Sequence, residues 1–382
     1  MFFLRRKKKI ENINKREDNK IVKIGIDLMG GDYAPVSTME GVLLALYDLK
    51  DLHLKITFYN KIDYQKLIQN FINKLPKRSK IYNYFNKNLE TDILKRIEFI
   101  PCSNYISMSD KPVNILKNRD NTLVKVFELL RDKVVDGVLY AGNTGAFLET
   151  SILVVGRLNG VKRPALLTVL PFNKPVLLLD SGANAECKPE YLLQFSIMAS
   201  IYYKKIISNS LPKLGLLNIG TEDIKGNLLT KESNKLISNY VSINNNLFEY
   251  VGFVEPYDVV NSKVDIVVAD GFSGNIMLKS FESLGEYVFN FIRKEFSLNI
   301  FNKAIGLLSR RIFRRIKSYF DYSEYGGALM IGLNGVSVKT HGRANYRAIK
   351  NSINFTYKLI LNDINSVILK ELENIKNITL SF

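Results

Sequence analysis

Apolar stretches recur along the chain, and polar segments with helical spacing separate them. Residues 21–29 are dense in β-branched side chains and stop at a Gly-Gly pair, which predicts a buried strand. Over 37–49 the apolar residues then return every three or four positions. That spacing predicts an amphipathic helix, with Ser37 as its N-cap.

The same strand-helix rhythm continues through most of the sequence. A helix is predicted near 121–133, and the Lys/Asn-rich segments 60–90 and 231–250 are typical of surface helices and loops. Such alternation predicts an α/β fold with a mainly parallel sheet and right-handed crossovers. The remaining predicted strands are 53–59, 96–100, 137–140, 165–170, 176–180, 214–218 and 264–269.

Small, polar and glycine residues follow five of these strands. Because ligands of parallel α/β sheets bind beyond the carboxyl ends of strands, we expect the five turns to line one polar cleft at one edge of the sheet. Glycine lets backbone N–H groups approach a ligand, and each following helix start attracts anions, so the cleft suits phosphate or another oxyanion. A single turn of this kind is also explained by tight-turn geometry alone. The five turns are 29–32, 141–145, 180–184, 217–221 and 269–275.

Length and charge narrow the class of protein. The 382 residues carry a formal net charge of +17, and the positive charge is concentrated at 1–20 (eight Lys/Arg, three Asp/Glu) and 301–320 (six Lys/Arg, no Asp/Glu). Local concentration favours docking of an acidic partner over a nucleic-acid-binding surface, although a compositional bias toward Lys, Asn and Ile would also raise the charge. We predict a basic, disordered extension at 1–20. Residues 21–382 then form one α/β unit, with an amphipathic helical segment at about 276–320.

Several chemistries are disfavoured. No apolar run reaches 18 residues, which predicts a cytoplasmic protein rather than one that spans a bilayer. The two cysteines and two histidines are too few for a structural zinc site. The motifs of dinucleotide, P-loop, serine hydrolase and zinc protease sites are absent. Cys187 remains open as a nucleophile or as a small buried hydrophobic residue.

At the glycine-rich turns the sequence resembles the PlsX family of phosphate acyltransferases. The resemblance implies a Rossmann-like three-layer α/β/α sandwich, similar to the isopropylmalate dehydrogenase and phosphate acetyltransferase superfold. It also implies transfer of the acyl group of acyl carrier protein to inorganic phosphate, in phospholipid synthesis, by a homodimer without metal or organic cofactor. A downstream glycerol-3-phosphate acyltransferase would take the product. The matching motifs occupy 27–32, 141–146, 156–158, 163–166, 182–184, 187–192, 216–220, 224–227, 270–275, 325–328 and 341–342.

The expected reaction needs no activated protein nucleophile, because phosphate itself attacks the thioester. The resemblance implies Lys188 as a cation on phosphate or oxyanion and Asn227 as a neutral hydrogen-bond donor. Asp270 and Asp27 would orient these groups or cap helices, and His341 would protonate the leaving thiolate or pack a loop. His53, within a predicted strand, is read as structural. The residues expected to bind substrate or phosphate are Asp27, Gly30, Gly31, Asp32, Asn143, Thr144, Gly145, Asn184, Asn218, Gly274 and Asn275.

Residues 304–320 predict a basic amphipathic helix. Its apolar face would lie on an anionic membrane, dock the acidic carrier protein, or simply pack on the core. The family is associated with peripheral membrane contact, which fits the first of these readings. The expected partner-facing residues are Arg310, Arg311, Ile312, Arg314 and Arg315.

Two other functions stay open from the sequence. One is a related enzyme, either a phosphate acetyltransferase that acts on acyl-CoA or a dehydrogenase that acts on a small hydroxy acid. No nucleotide-binding motif supports the dehydrogenase. The other is a non-catalytic scaffold that tethers carrier protein to membranes. A scaffold would leave the five glycine turns without a purpose.

Overall fold

The computed structural model describes residues 20–110, 115, 119–244, 246–313 and 326–379. The predicted basic extension 1–20 therefore lies outside the described residues, apart from Lys20. Eleven strands of the described chain form one sheet: β1 Val22–Asp27, β2 Leu52–Tyr59, β3 Ile97–Cys102, β4 Gly137–Tyr140, β5 Ala165–Pro171, β6 Pro175–Leu179, β7 Lys213–Leu217, β8 Glu249–Val254, β9 Ile266–Val268, β10 Ala328–Ile331 and β11 Val336–Lys339.

The sheet consists of two halves that run in opposite directions. Its strand order is β3-β2-β1-β4-β11-β10-β5-β6-β9-β7-β8. Parallel pairing joins β3 through β11 on one side and β6 through β8 on the other. Between them, β10 is antiparallel to both of its neighbours, and β5 and β6 form an antiparallel hairpin. The predicted α/β fold with a mainly parallel sheet is confirmed.

The expectation that all five glycine-rich turns share one edge of the sheet is wrong. Because the halves run in opposite directions, the carboxyl ends of β1 and β4 lie at one edge and those of β6, β7 and β9 at the other. We call the residues after β1, β4 and β11 (28–35, 141–145 and 340–343) the first rim. Those after β6, β7 and β9 (180–184, 218–227 and 269–275) are the second rim. The sequence indicates this reversal, because the connection between β5 and β6 is too short for the crossover that two parallel strands need.

Helices cover both faces of the sheet and complete the three-layer α/β/α sandwich. The helices are α1 Val36–Asp48, α2 Tyr64–Lys74, α3 Lys80–Asn88, α4 Thr122–Arg131, α5 Thr144–Thr150, α6 Pro189–Tyr202, α7 Leu228–Ile243, α8 Pro256–Val260, α9 Gly271–Glu295, α10 Ile300–Leu308, α11 Tyr346–Leu361 and α12 Ile364–Thr379. π-Helical turns follow α3, α5 and α6 at Leu89–Ile93, Ser151–Val155 and Tyr203–Ile207.

Alternation along the strands assigns the helices to faces. Even-numbered residues of β1 pack with α1, α6, α7 and α11 in the largest core cluster. On the opposite face, Val138 and Tyr140 of β4 pack with α4 and α5, and Leu178 of β6 packs with α8 and α9. Burial of both strand faces explains why the strands are near-continuous apolar runs.

Several boundaries differ from the sequence predictions. The first helix begins at Val36 with Pro35 at the N-cap and no side-chain cap, so Ser37 is not the cap that the sequence suggested. Within the predicted amphipathic helical segment 276–320, turns at 296–299 and at Ser309 separate α9, α10 and a helix that begins at 310, and residues 314–320 lie outside the described residues. Strands β8, β10 and β11 were not predicted.

The last part of the chain returns to the first half of the sheet. Strand β11 pairs with β4, and α11 packs against α1 so closely that a Cβ on Gly41 would stand 2.6 Å from side-chain carbons of Ile349. Glycine is required at that crossing, because any side chain would push the two helices apart. The first rim is thereby completed by residues that come almost two hundred positions after β4.

Candidate active site

Each half of the sheet has its own switch point, where adjacent strands send their helices to opposite faces. Strand β1 leads to α1 on one face, while its neighbour β4 leads to α5 on the other. In the second half, β6 leads to α6 and its neighbour β9 to α9, again on opposite faces. Crevices of this kind are the usual ligand sites of open α/β sheets. The two rims are therefore the two candidate sites.

Asp180 organises the second rim. Its carboxylate accepts hydrogen bonds from the backbone N–H groups of Leu166, Gly182, Ala183 and Asn184, at 2.8–3.0 Å. The side-chain amide of Asn184 donates to the same carboxylate at 2.8 Å. Burial raises the pKa of Asp180, and these donors lower it. The loop 180–184 is therefore wound around one buried acid, whose role the sequence analysis did not recognise.

The start of α9 is pressed against this loop. A Cβ on Gly274 would lie 2.0 Å from the carbonyl oxygen of Asp180, and one on Gly271 would lie 2.6 Å from that of Asn184. Gly182 faces the side chain of Asn275 in the same way. These glycines allow two turns from opposite faces to meet, which places the exposed Asn275 at the crevice.

Three long helices begin at the second rim. Asp270 caps α9 by accepting from the backbone N–H and the hydroxyl of Ser273, at 2.8 and 2.9 Å. Asn227 caps α7 by accepting from the N–H of Thr230 at 2.9 Å, and its own side chain is exposed. Lys188 occupies the N-cap of α6 without a side-chain cap bond, and it too is exposed. Convergent helix starts and a lysine make this edge attractive to anions.

Asn218 and Cys187 have inward-facing roles at the same rim. The Asn218 amide donates to the carbonyl oxygens of Gly220 and Lys225, so this side chain shapes the loop that leads to Asn227. Burial raises the pKa of the Cys187 thiol to about 12, which disfavours the thiolate that a nucleophile needs. The packing role weighed for this cysteine is therefore the better reading.

The first rim contains a row of buried polar side chains that the sequence analysis largely missed. Asp27, Tyr140 and Lys339 stand in register on the neighbouring strands β1, β4 and β11 and point to the same face. Burial, and to a smaller extent the charge of Lys279 in α9, lowers the pKa of Lys339 to about 8. The Lys339 ammonium donates to the carbonyl of Thr340 at 2.9 Å. In the sequence, the alternation of valine with Ser337 and Lys339 just before His341 is the pattern that indicates a strand with polar side chains on one face.

Asp27 is fully buried. Burial raises its pKa to about 7, while hydrogen bonding from the Met29 N–H at 2.8 Å lowers it. Oδ2 of Asp27, Oγ1 of Thr122 and the hydroxyl of Tyr140 have no hydrogen-bond partner among the described residues. Thr122 is near enough to stabilise the Asp27 charge, although no ordinary hydrogen bond joins the two. Buried polar atoms without a hydrogen-bond partner are uncommon in proteins.

The other first-rim residues surround this row. The Asp32 N–H donates to the Gly342 carbonyl at 2.8 Å, and Gly31 has a positive φ of 107° beside the same carbonyl. Nδ1 of the half-buried His341 accepts a hydrogen bond from the backbone N–H of Arg343. Burial lowers the pKa of His341, and the positive charge of Lys339 contributes in the same direction. Gly30, packed against Gly142 and Tyr140, completes the turn.

Asn143 connects the first rim to a neighbouring loop. Its Oδ1 caps α5 by accepting from the Ala146 N–H, and its Nδ2 donates to the carbonyls of Met108 and Asp110 at 3.0 and 3.1 Å. Thr144 and Gly145 form the first turn of α5, and Thr144 is exposed. The amide of Asn143 is thus used internally, and Thr144 is the group that faces outward.

The structure brings the predicted residues together in two sets rather than one. Lys188, Asn227, Asp270, Asn184, Asn218, Gly274 and Asn275 belong to the second rim. Asp27, Gly30, Gly31, Asp32, Asn143, Thr144, Gly145 and His341 belong to the first. His341 and Lys188 lie at opposite edges of the sheet, on strands three positions apart, so we do not expect one thioester carbonyl to contact both within one chain. Helix α9 links the rims: it begins at the second, and Lys279 and Glu282 act electrostatically on His341.

The partner-facing residues lie beyond α9. Arg310, Arg311 and Ile312 are exposed in the helix that begins at 310, and α10 before it has no buried residue. Arg314 and Arg315 lie outside the described residues. No described helix is both long and apolar enough to cross a bilayer. Over the described residues, no group of three His, Cys, Asp or Glu side chains lies together as a metal site requires.

Comparison with known sequences gives a consistent family. The family model described as "Fatty acid synthesis protein" matches residues 22–367. A phosphate acyltransferase of Clostridium tetani is 39% identical over 363 residues, which cover 94% of this chain and 100% of that protein. A phosphate acyltransferase of Dictyoglomus turgidum is 36% identical over 358 residues, covering 93% and 98%.

Two solved phosphotransacetylase structures have a similar fold. The enzyme of Streptococcus pyogenes superposes with a TM-score of 0.52 at 14% identity, covering 89% of this chain and 94% of that one. That of Staphylococcus aureus gives a TM-score of 0.51 at 13% identity with the same coverage. Identity this low shows a shared fold and nothing more.

Replacing Asp27 by Asn should change how stability depends on pH. With a pKa of about 7 in the folded state and 3.8 ordinarily, Asp27 keeps its proton on folding between these values. The stability from this proton is complete below pH ~4 and is lost as pH rises through 7. From pH 4 to 8, D27N should therefore gain up to a few kcal/mol over the unmodified protein in urea unfolding. The exposed D51N variant serves as control, and parallel pH curves for D27N would contradict the prediction.

Proposed function

Because the chain belongs to the phosphate acyltransferase family, we propose that it transfers the acyl group of a fatty acyl thioester on acyl carrier protein to inorganic phosphate. The products are acyl phosphate and free carrier protein. Acyl phosphate is an activated acyl donor, and we place it on the route to phospholipids through acylation of glycerol 3-phosphate by a downstream acyltransferase.

One observation supports the second rim as the site of this chemistry. Helices α6, α7 and α9, of 14, 16 and 25 residues, begin side by side at one edge, next to an exposed lysine. Lys188 forms no ion pair with a described residue, and the neighbouring Asn227 side chain is exposed. A dianion such as phosphate would be stabilised there by the backbone N–H groups of the helix starts and by the charge of Lys188.

The reaction follows from this placement. A phosphate oxygen attacks the thioester carbonyl carbon, and negative charge develops on the carbonyl oxygen. Lys188 and the Asn227 amide would donate to the phosphate and to that oxygen. The C–S bond then breaks, the acyl group stays on phosphate, and the thiolate leaves and takes a proton from water. Preorganised donors of this kind contribute about 10²–10³ each to the rate.

His341 has no place in this step within one chain, because it lies on the first rim. The thiolate that leaves a thioester is stable enough to depart without a positioned acid, since thiols have a pKa near 8.5. We therefore propose His341 and Lys339 as groups that shape the first rim rather than as the acid for the thiolate.

We further propose three contacts with partners. The acidic carrier protein docks on the basic surface that includes Arg310 and Arg311. The exposed apolar residues of the adjacent α10, among them Phe301 and Leu308, rest on an anionic membrane surface. A second copy of the chain covers the exposed apolar side of α9, where Tyr287 and Phe291 are 68% and 53% exposed.

The function is tested by mixing purified protein, inorganic phosphate and palmitoyl carrier protein, then measuring acyl phosphate and free thiol. Equal amounts of both products, dependent on phosphate, are expected. A parallel reaction with palmitoyl-CoA identifies the thioester that is preferred. Carrier protein bound without any product would contradict the proposal.

Replacing Lys188 by Gln should lower kcat/KM for phosphate by about 10²–10³, because a charged donor to phosphate and oxyanion is removed. The free energy of unfolding should not change, since Lys188 is exposed and unpaired in the described chain. Steady-state kinetics and urea unfolding measure the two effects. The matched control is K205Q. Lys205 is also exposed, but it follows the C-terminal end of α6, whereas Lys188 precedes the N-terminal end. Equal activity of K188Q and K205Q would exclude this role.

Substitutions of Asn227 should separate capping from catalysis. Serine keeps the helix cap but lacks the amide N–H, so N227S should unfold like the unmodified protein and lose about 100-fold in kcat. Alanine loses both functions, so N227A should also be less stable by about 1 kcal/mol. Kinetics and denaturation are measured on the same preparations. Full activity in N227S would mean that Asn227 only caps α7.

Reversing the charge of Arg310 and Arg311 together should raise KM for acyl carrier protein at least tenfold at low salt. The cause is the loss of attraction to an acidic partner, so the effect should shrink as salt is added. KM for phosphate should stay constant. A double reversal at exposed Lys66 and Lys87 serves as control. An unchanged KM for the carrier at low salt would remove the docking role.

A further inference from the structure

We propose that a cationic cleft beside the second rim binds the phosphate of the phosphopantetheine arm that carries the acyl thioester. This inference rests on the proposed function and adds a substrate subsite to it. The cleft lies between the loop that follows α5 and the first turn of α6. Its charged and aromatic lining is Arg157, Lys162, Arg163, Glu190 and Tyr191.

The cleft is joined directly to the second rim. Pro164, in its wall, accepts a 2.8 Å hydrogen bond through its carbonyl from the side-chain amide of Asn184. Glu190 and Tyr191 follow Lys188 in the first turn of α6. A chain that leaves the cleft along this turn therefore reaches Lys188, where we place the thioester.

The charge of the cleft is positive and largely uncommitted. Lys162 pairs with Glu190 at 3.5 Å, but within the described chain no carboxylate lies within 4.0 Å of Arg157 or Arg163. The Arg157 guanidinium donates to the backbone carbonyl of Lys162, which holds it at the cleft. The Arg163 guanidinium lies 6.0 Å from the centre of the Tyr191 ring. Two arginines with free N–H groups match the geometry of a phosphate better than that of a single-atom anion.

The size and shape fit a small extended ligand. The cleft is a shallow depression open to solvent, with a volume of about 570 Å³, which is within the range of ligand sites. Phosphopantetheine has an anionic phosphate at one end and the thioester at the other, with an uncharged chain between them. Phosphate in the cationic cleft and sulfur at Lys188 satisfy both ends at once. Free phosphate would satisfy only one of the two positions.

Two thioester carriers possess this arm, acyl carrier protein and coenzyme A. The cleft recognises the chemistry they share. Coenzyme A carries a nucleotide beyond this phosphate, and 4′-phosphopantetheine does not. Comparing how tightly these two ligands bind therefore distinguishes coenzyme A from acyl carrier protein as the source of the arm.

Kinetics provide the first test. R163A and K162A should each raise KM for palmitoyl carrier protein about tenfold, and leave KM for inorganic phosphate unchanged. With S-palmitoyl pantetheine, which lacks the arm's phosphate, the variants and the unmodified protein should have equal KM values. The controls are R78A and K66A, which remove exposed charges from the far half of the sheet. A KM increase of the same size with S-palmitoyl pantetheine would show that the cations act on something other than the phosphate, and would overturn the proposal.

Equilibrium binding provides a second test that requires no turnover. By calorimetry on the full chain, 4′-phosphopantetheine should bind at least ten times more tightly than pantetheine, and R163A should abolish the difference. Equal affinities would overturn the inference even in an active enzyme. Selective binding without acyl phosphate formation would support the cleft and reject the proposed function. Coenzyme A bound much more tightly than 4′-phosphopantetheine would support the cleft with coenzyme A as its source.

Discussion

The reversal of strand direction at the centre of the sheet decides where every candidate functional group lies. Strands β1, β4 and β11 deliver their following turns to one edge, and β6, β7 and β9 deliver theirs to the other. Hydrogen bonding between strands leaves no freedom in this assignment, because each register fixes the ends of its neighbours. A sheet with all strands parallel would have collected the same glycine turns in one cleft. Here they form two crevices, joined by the length of α9.

The two rims are stabilised in different ways, and the difference bears on their chemistry. The second rim is wound around the Asp180 carboxylate, whose donors are supplied by the backbone and Asn184. These hydrogen bonds satisfy the buried carboxylate and fix the backbone of residues 180–184, shortly before Lys188. The first rim instead contains buried oxygens without partners and a lysine whose pKa is depressed by burial. This difference is one reason why we place the proposed phosphate chemistry at the second rim.

Much of the fold could be predicted from the sequence, and the failures have physical causes. Strands buried on both faces, such as β1 and β4, are unbroken apolar runs and were found. Strands β10 and β11 are no shorter than β4, so length alone does not explain why they escape prediction. Ser337 and Lys339 alternate with valines in β11, so that strand lacks the continuous apolar run of β4. The direction of the sheet depended on one short connection between β5 and β6, which was not weighed. At the site, motifs located the turns, but the role of Asp180 depends on its hydrogen bonds in the folded loop and that of Lys339 on the register of β11 with β4.

The order of the elements along the chain has a consequence for synthesis on the ribosome. The edge of β4 stays open until residues 336–339 have emerged, because β11 is its partner, and α1 lacks α11 for as long. The N-terminal half therefore cannot complete its core while the intervening half is being made. A nascent chain of this design presents one open edge of an apolar strand while about half of the chain is synthesised, which is a condition that favours chaperone binding.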